Sequence, residues 1–300
     1  MNLDREKLIL IVTRKCNLQC NHCKVVKGNE MMNFATAWKA VSLFIGEGDS
    51  GSEKIIKFFG GEPLLNFSLI KEIMICSKRN KLEPTFNLTT NGLLLKNEHI
   101  EFFSKRPDLE FFISSNQKKI FNNKDFISRL LRLPLLTVNF NLLPGCLHGS
   151  QSLFENLLKK KITRFNFLPS YYNFWPQKEI KSLRKFFQNA KKIIDEYDGD
   201  IYVKNLEVYS PVPLFNTAFT IDFLGDIYIS ELFLDKRLSR WRNEMKIGNI
   251  HILKDWESLM SLPFEFDFDF ILKSSFSKRI LESTRVVDFE LTSFVEAIKK

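Results

Sequence analysis

The chain has 300 residues, of which 44% are hydrophobic and 26% are charged, with 44 Lys and Arg against 35 Asp and Glu. This composition is that of a globular protein and excludes a disordered chain or a small disulfide-stapled scaffold. Because the longest apolar runs are far too short to cross a bilayer and the mixed-charge N-terminus has no apolar signal core, we expect a cytoplasmic protein without a membrane span.

Strand patterns alternate with amphipathic helical patterns over the first two hundred residues. Strands are predicted over residues 7–13, 54–59, 85–90, 109–114, 135–141 and 164–168. Helices are predicted over residues 33–47, 67–77, 98–104, 124–131, 151–160 and 177–197. Strand–helix pairs in this order predict an α/β fold, a partial (β/α)6 TIM-like barrel over residues 1–199. A doubly wound sheet is the alternative, although the first loop lacks the glycine-rich pattern of a dinucleotide site.

After residue 199 the alternation stops, which predicts a small α+β C-terminal extension over residues 200–300. We expect a strand over residues 201–209, a hairpin of residues 219–223 and 226–229, and helices over residues 254–260 and 284–299. Residues 264–270 alternate Phe with acidic residues, a pattern that predicts a half-buried strand.

Three of the five cysteines lie within eight residues, as the C-x3-C-x2-C loop of Cys16, Cys20 and Cys23 after the first predicted strand. In a reducing compartment this spacing favours a metal or redox site over disulfides. Three soft thiolates suit an iron–sulfur cluster or zinc. A structural zinc normally takes a fourth protein ligand, and His22 adjoins Cys23 too closely for both to reach one ion. The loop therefore favours an iron–sulfur cluster, with zinc as the alternative.

This cysteine loop resembles that of the radical S-adenosylmethionine (radical SAM) superfamily. The resemblance implies that Cys16, Cys20 and Cys23 hold one [4Fe–4S] cluster, whose open iron binds the methionine amine and carboxylate of S-adenosylmethionine (AdoMet). It also implies that an electron from an external donor, such as a flavodoxin or ferredoxin, cleaves AdoMet to a 5′-deoxyadenosyl radical that abstracts a substrate hydrogen.

Further motifs strengthen the resemblance. The segment Gly60-Gly61-Glu62-Pro63, after the second predicted strand, is similar to the GGEP motif that contacts the methionine amino group of AdoMet. Glycines let the backbone approach closely, and a carboxylate or carbonyl accepts from an ammonium. By the same resemblance, later strand ends imply cofactor contacts at Thr89, Asn91, Ser114 and Leu168. One departure is Lys24, which follows the third cysteine where the superfamily commonly has an aromatic residue.

The C-terminal extension resembles, over residues 221–230 and 247–250, the start of the SPASM or twitch extension of peptide-modifying members. The extension's cysteines bind auxiliary clusters in those proteins, but Ser230 stands at the first such position here and no cysteine follows Cys146. Cys76 and Cys146 alone cannot build a four-thiolate cluster, so we expect one cluster only. We expect Cys76 to be buried in a helix. Cys146 is either a bystander thiol or a hydrogen-atom donor to a substrate radical.

These features predict a radical SAM enzyme that acts on a peptide or protein substrate, as in peptide natural-product maturation. Because few residues precede the first strand, leader recognition is expected to need a separate leader-binding protein or the edge of the barrel. The net charge of +9 mildly favours RNA, but the basic residues are spread along the chain. A radical SAM enzyme acting on RNA or a small metabolite is therefore the alternative, and a cluster- or zinc-binding barrel without activity is a third hypothesis.

Overall fold

The computed structural model describes residues 4–46, 53–207, 218–261 and 267–299. Its strands are β1 (Asp4–Thr13), β2 (Ile55–Gly60), β3 (Thr85–Thr90), β4 (Leu109–Ser114), β5 (Leu135–Leu142), β6 (Arg164–Pro169), β7 (Tyr202–Val203), β8 (Ala218–Ile221), β9 (Asp226–Tyr228) and β10 (Lys246–Asn249). Its α-helices are α1 (Phe34–Gly46), α2 (Phe67–Arg79), α3 (Asn97–Phe103), α4 (Lys124–Leu130), α5 (Ser150–Lys159), α6 (Gln177–Glu196), α7 (Arg242–Met245), α8 (Trp256–Met260), α9 (Phe268–Ser275) and α10 (Lys278–Ile298). None of the helices in these ranges combines the length and apolarity that crossing a membrane requires. The succession from β1–α1 to β6–α6 confirms the α/β class predicted from the sequence.

The residues fall into two compact units by their contacts. The first unit comprises Met1–Thr90, Leu94–Glu110 and Phe215–Ile271, and the second comprises Asn91–Leu93, Phe111–Leu214 and Leu272–Lys300. This grouping divides β4 after Glu110 and α9 after Ile271. The domain boundary predicted between residues 199 and 200 stays a prediction.

In the first unit, β1, β2 and β3 run parallel in that order. Residues 8–13 of β1 are buried without interruption, the pattern of a parallel strand that is covered on both faces. Because the strands are aligned, their last residues, Thr13, Gly60 and Thr90, lie at one edge of the sheet. This edge carries the predicted motifs.

The hairpin predicted in the C-terminal extension is confirmed as β8–β9. β8 pairs in parallel with β1 and antiparallel with β9, which in turn pairs antiparallel with β10. In the turn, Gly225 adopts a φ of +81°, which favours glycine. The Oδ1 atom of Asp222 accepts from the backbone N–H groups of Leu224 and Asp226 at 2.9 and 3.0 Å. One buried carboxylate therefore fixes the turn.

In the second unit, β4, β5, β6 and β7 are neighbours in that order, and β5, β6 and β7 run parallel. Phenylalanine rings join the strands to the helices. Phe140 of β5 meets Phe154 of α5 at 6.0 Å between ring centroids, and Phe167 of β6 meets Phe294 of α10 at 5.3 Å. We call seven buried rings of this unit the phenylalanine core: Phe140, Phe154, Phe165, Phe167, Phe186, Phe187 and Phe294.

The strand predicted over residues 201–209 is wrong beyond its first residues. β7 ends at Val203, and Lys204–Glu207 form a 3₁₀ helix, while residues 208 and 209 lie outside the described residues. The side chain of Asn205 explains the early end. Its Nδ2 atom donates to the Phe167 carbonyl at 2.9 Å, and its Oδ1 atom accepts from the Phe167 N–H at 2.8 Å. Asn205 thereby satisfies the groups of β6 that a longer β7 would pair with.

The strand predicted over residues 264–270 is also wrong where it can be compared. Residues 264–266 lie outside the described residues, and Phe268–Ser275 form α9. Asp267 begins this helix, because its Oδ1 atom accepts from the Phe270 N–H at 2.9 Å and its carbonyl accepts from the Ile271 N–H at 3.2 Å. A helix start of this kind outweighs the alternating pattern of the sequence.

Candidate functional site

The clustered cysteines lie in the loop that follows β1, which we call the cysteine loop (residues 14–33). Cys16, Cys20 and Cys23 are free thiols, and each is partly exposed. The Cys23 N–H donates to the Cys20 carbonyl at 3.0 Å, which makes a tight turn between the second and third thiols. All three thiols therefore lie on one turn-containing segment at the edge of the sheet.

Two buried side chains hold the base of the cysteine loop. The hydroxyl of Thr13 donates to the Glu30 carbonyl at 3.1 Å. The Nδ2 atom of Asn66 donates to the carbonyls of Val12 and Met32 at 2.9 and 3.1 Å. Since Thr13 and Asn66 are both buried, these bonds tie the beginning and the end of the loop together in a water-poor environment.

The two glycines of the GGEP segment lie against the cysteine loop. The N–H groups of Gly61 and Glu62 donate to the carbonyls of Thr13 and Lys15 at 2.9 and 2.8 Å. A Cβ atom on Gly60 would lie 2.0 Å from the Thr13 carbonyl oxygen, and one on Gly61 would lie 2.1 Å from that of Lys15. Gly60 also has a φ of +142°, which other residues rarely adopt. Glycine is therefore required at both positions.

Glu62 links this segment to the end of β3. It is 2% exposed, and its Oε1 atom accepts from the Thr90 hydroxyl at 2.6 Å and from the Leu64 N–H at 3.2 Å. The second bond caps the 3₁₀ helix Pro63–Asn66, in which Pro63 is the first residue. Hydrogen bonds thus join the ends of β1, β2 and β3 into one site.

Sequence reasoning missed Thr90, although the strand pattern contains a signal for it. Thr90 is in phase with the buried residues Phe86 and Leu88 of β3, and it is itself 2% exposed. A hydroxyl on the buried face at a strand end needs a polar partner, which here is Glu62. Thr89, the predicted cofactor contact, lies on the opposite face of the strand by alternation. Its role stays a prediction.

The remaining predicted cofactor contacts belong to the second unit. The Oδ1 atom of Asn91 accepts from the Leu93 N–H at 2.9 Å and fixes the turn after β3. The Ser114 hydroxyl accepts from the Nδ2 atom of Asn141 at 2.7 Å. Leu168 is partly exposed near the end of β6. These positions are polar or accessible strand ends, and their roles stay predictions.

The two other cysteines differ in exposure. Cys146 is exposed in the loop between β5 and α5. In the same region the Lys118 ammonium donates to the His148 carbonyl at 2.6 Å, and burial lowers the pKa of Lys118 while Cys146 raises it. Cys76, which was expected to be buried, is partly exposed on α2. Neither thiol lies on the cysteine loop.

In the absence of a metal, the surroundings of Cys20 favour the protonated form of its thiol. Burial raises the pKa of the Cys20 thiol, Cys23 and Cys16 raise it further, and Lys27 acts in the opposite direction. Burial also lowers the pKa of His22, as do two neighbouring lysines. Among the described residues, no three His, Cys, Asp or Glu side chains converge as the ligands of a single ion do. The thiolates of an iron–sulfur cluster bind different irons and therefore need not converge in that way.

Comparisons with known proteins identify a family model and several relatives that this chain resembles. The family model of the radical SAM superfamily matches residues 10–141, which include the cysteine loop and the GGEP segment. An uncharacterized protein of Methanocaldococcus jannaschii is 37% identical over 110 residues, a match that covers 36% of this chain and 37% of that protein. The chain thus matches little more than a third of that relative. A probable GTP 3′,8-cyclase of the same organism is 27% identical over 252 residues, covering 71% of this chain and 78% of the relative.

The fold has a solved counterpart. The structure of native anSMEcpe with bound AdoMet and Cp18Cys peptide matches with a TM-score of 0.71, covering 97% of this chain and 96% of that one. At 14% sequence identity this match shows a common fold, which confirms the predicted fold class. The cysteine loop after β1 and the GGEP segment after β2 both lie inside residues 10–141, the part of the chain that matches the model of the radical SAM superfamily.

Proposed function

We propose that the protein is a radical SAM enzyme in which Cys16, Cys20 and Cys23 hold one [4Fe–4S] cluster and the GGEP segment binds the methionine end of AdoMet. The observation that carries this proposal is the hydrogen-bonded junction between the cysteine loop and the GGEP segment. Three cysteine thiolates suit a cubane cluster and leave one iron open for a substrate ligand. When bound, the cluster supplies the electron that cleaves AdoMet to a 5′-deoxyadenosyl radical, which takes a hydrogen atom from the substrate.

The protein's own residues orient and shield the cofactor. Gly60 and Gly61 let the GGEP segment approach the carbonyls of Thr13 and Lys15 closely, which positions this segment directly beside the cysteine loop. Glu62 offers a buried carboxylate to the methionine ammonium, and charge-assisted bonds of this kind are the strong ones. Because the Thr90 hydroxyl already holds the Oε1 atom, the carboxylate is oriented before the cofactor arrives.

The finer assignments remain part of the proposal. Thr89, Asn91, Ser114 and Leu168 are proposed as further AdoMet contacts on the basis of the sequence resemblance. Cys146 is proposed as a hydrogen-atom donor, and its exposed thiol supports that role. A Cys146→Ala variant that turns over normally would remove Cys146 from the mechanism.

A peptide or protein is the substrate that we propose. Support comes from the Cp18Cys peptide in the anSMEcpe structure, which shares this fold, and from the SPASM- or twitch-like sequence of the extension. A flavodoxin or ferredoxin is the proposed electron donor, and a separate leader-binding protein is the proposed partner if the substrate has a leader.

A small nucleotide is the second candidate substrate. The similarity to a probable GTP 3′,8-cyclase favours it, because that match extends over most of both chains. The two candidates are separated by incubating the reduced, cluster-loaded enzyme with AdoMet and either a candidate precursor peptide or GTP. Turnover of the peptide supports the first candidate, and turnover of GTP alone supports the second.

Anaerobic reconstitution tests the proposed activity. We expect about four irons per chain, and 5′-deoxyadenosine on addition of dithionite and AdoMet. Cys20→Ala should lose both, whereas Cys76→Ala, a matched thiol outside the loop, should keep both. A protein that binds zinc in preference to iron, or a bound cluster that yields no 5′-deoxyadenosine, would leave the chain as a binding protein.

A further inference from the structure

A short segment of the C-terminal extension, residues 234–236, pairs antiparallel with residues 24–26, directly after the third cysteine. The Val26 N–H donates to the Leu234 carbonyl at 2.8 Å. The Lys236 N–H donates to the Lys24 carbonyl at 2.9 Å. Backbone hydrogen bonds therefore connect the extension to the cysteine loop within the first unit.

The same stretch of the cysteine loop is held from its other side by Arg14, which lies two residues before the first cysteine. The Nε and Nη2 atoms of Arg14 donate to the carbonyls of Val26 and Lys27 at 3.2 and 3.4 Å, and Nη1 contacts the Glu30 carboxylate at 3.2 Å. The extension thus holds the N–H of Val26, while Arg14 holds its carbonyl. Val26, which follows the three cysteines, is therefore hydrogen-bonded both to Arg14, which precedes them, and to the C-terminal extension.

An ion pair with one fully buried partner, Asp222, is connected to residues 234–236. The Nη2 atom of Arg242 contacts the Oδ2 atom of Asp222, which is fully buried, at 2.9 Å. The Nε atom of Arg242 donates to the Tyr228 hydroxyl at 2.8 Å, and the Tyr228 ring stacks on Phe233 with 3.8 Å between centroids. Phe233 directly precedes Leu234, so the ion pair is connected to the paired segment through two stacked rings.

We propose that residues 234–236 are a clamp that positions the cysteine loop, with Arg242 and Asp222 as its positioning residues. The inference rests on the proposed function, because the position of the loop matters through the cluster that its thiols bind. Removing Arg242 leaves a buried carboxylate without its cation, which should loosen the clamp segment. The thiol segment then loses a support on the side of Cys23, and its hold on iron weakens.

Hydrogen exchange of the metal-free protein tests the clamp without any cluster. In Arg242→Met, the amides of residues 24–28 and 234–238 should exchange about tenfold faster or more than in the wild type. Arg184→Met is the matched control, since it removes an arginine whose bidentate partner, Glu290, lies in the second unit. Exchange at residues 24–28 should not change in that control. Equal rates in Arg242→Met and wild type would overturn the clamp.

Lys236→Pro tests the clamp without changing the ion pair of Arg242 and Asp222. Lys236 is exposed and occupies the second position of a turn closed by the Leu238 N–H to Asp235 carbonyl bond of 2.8 Å, a position that proline favours. Asp235 has φ −72° and ψ 120°, which suit a residue before proline. The substitution therefore removes the N–H that donates from residue 236 to the cysteine loop, while the local backbone conformation remains compatible with proline. It remains informative if Arg242→Met does not fold.

Iron retention supplies the second readout. After reconstitution, Arg242→Met and Lys236→Pro should release iron to a chelator about fivefold faster or more than wild type and Arg184→Met. If the wild type takes up no cluster, the proposed function fails and the exchange experiment still decides the clamp. If the wild type binds a cluster but both variants match its exchange and its iron release, the clamp is overturned and the proposed function stands.

Discussion

Different forces hold the junction at the cysteine loop and the phenylalanine core. At the junction, backbone N–H groups and the side chains of Thr90 and Asn66 donate to specific oxygen atoms. In the phenylalanine core, rings pack edge to face, as Phe140 and Phe154 do, or stacked, as Phe187 and Phe294 do. A hydrogen bond contributes only about 1 kcal/mol net to the free energy of unfolding, but it requires a defined orientation of donor and acceptor. Burial of a ring contributes about 2–3 kcal/mol and requires no such orientation. The junction therefore specifies geometry and the core supplies stability.

The largest effect on stability is expected in the phenylalanine core. Phe167→Ala removes a fully buried ring that contacts several others and should lower the free energy of unfolding by about 3–5 kcal/mol. Urea denaturation measures this loss. The control Phe289→Ala, whose ring is 66% exposed, should change stability by less than about 0.5 kcal/mol. Equal effects of the two substitutions would contradict the claim that the phenylalanine core supplies stability.

Gly61→Ala should damage the junction. The added Cβ lies 2.1 Å from the Lys15 carbonyl oxygen, so the two loops must separate and lose two backbone hydrogen bonds. We expect a loss of about 2 kcal/mol in unfolding free energy, together with loss of iron on reconstitution. Gly46→Ala, where nothing lies within 4 Å of the new atom, is the matched control and should keep full iron content. An unaltered iron content in Gly61→Ala would contradict the close approach.

Glu62→Gln should keep the hydrogen bonds of the side chain but remove its negative charge. The Gln Oε1 atom can still accept from Thr90 and Leu64, so the unfolding midpoint should not change. Loss of the negative charge should weaken AdoMet binding about tenfold, which corresponds to about 1.4 kcal/mol. Equilibrium binding to the reconstituted protein measures the effect, with Glu98→Gln on the exposed surface of α3 as control. Unchanged affinity in Glu62→Gln would place the ammonium elsewhere.

The smallest effect concerns a buried carboxyl in the second unit. Asp288 accepts from the Tyr171 hydroxyl at 2.9 Å, and burial raises its pKa, although the hydrogen bond acts against the rise. A raised folded-state pKa means that the group's contribution to stability is largest at low pH and is lost as pH rises. Asp288→Asn should therefore become more stable than wild type above about pH 4, by about 1 kcal/mol or less.

A carboxylate with the opposite shift gives the control for that prediction. Hydrogen bonds from Ser258 lower the pKa of Asp255, so its contribution to stability is lost as pH falls. Relative to wild type, Asp255→Asn should be less stable at neutral pH than at pH 3. Relative to wild type, Asp288→Asn should show the reverse dependence on pH. Thermal unfolding between pH 3 and pH 7 measures both variants, and the same sign of change in the two would contradict the assignment.

The parts of the site that were predictable from the sequence are those that lie close together in the chain. The spacing of Cys16, Cys20 and Cys23 and the Gly60–Gly61 pair are local patterns, and strand ends place them at one edge. The six strand–helix pairs were predictable because hydrophobic periodicity is a local signal.

The remaining features depend on contacts that leave no local pattern. The pairing of residues 24–26 with residues 234–236 is made by backbone atoms some two hundred residues apart, and backbone atoms do not vary with sequence. Asn205 ends β7 through a contact with Phe167 that no window around residue 205 contains. The strand pattern indicates that Thr90 is buried, but its partner Glu62 lies at another strand end and cannot be identified from that pattern.

The central claim is that the cysteine loop and the GGEP segment form one site for a cluster and AdoMet. The most direct measurement is the electron paramagnetic resonance spectrum of the dithionite-reduced, reconstituted protein with and without AdoMet. We predict a cluster signal that changes shape on addition of AdoMet in the wild type and changes less at the same AdoMet concentration in Glu62→Gln. A wild-type cluster signal that AdoMet leaves unaltered at saturating concentration would contradict the account.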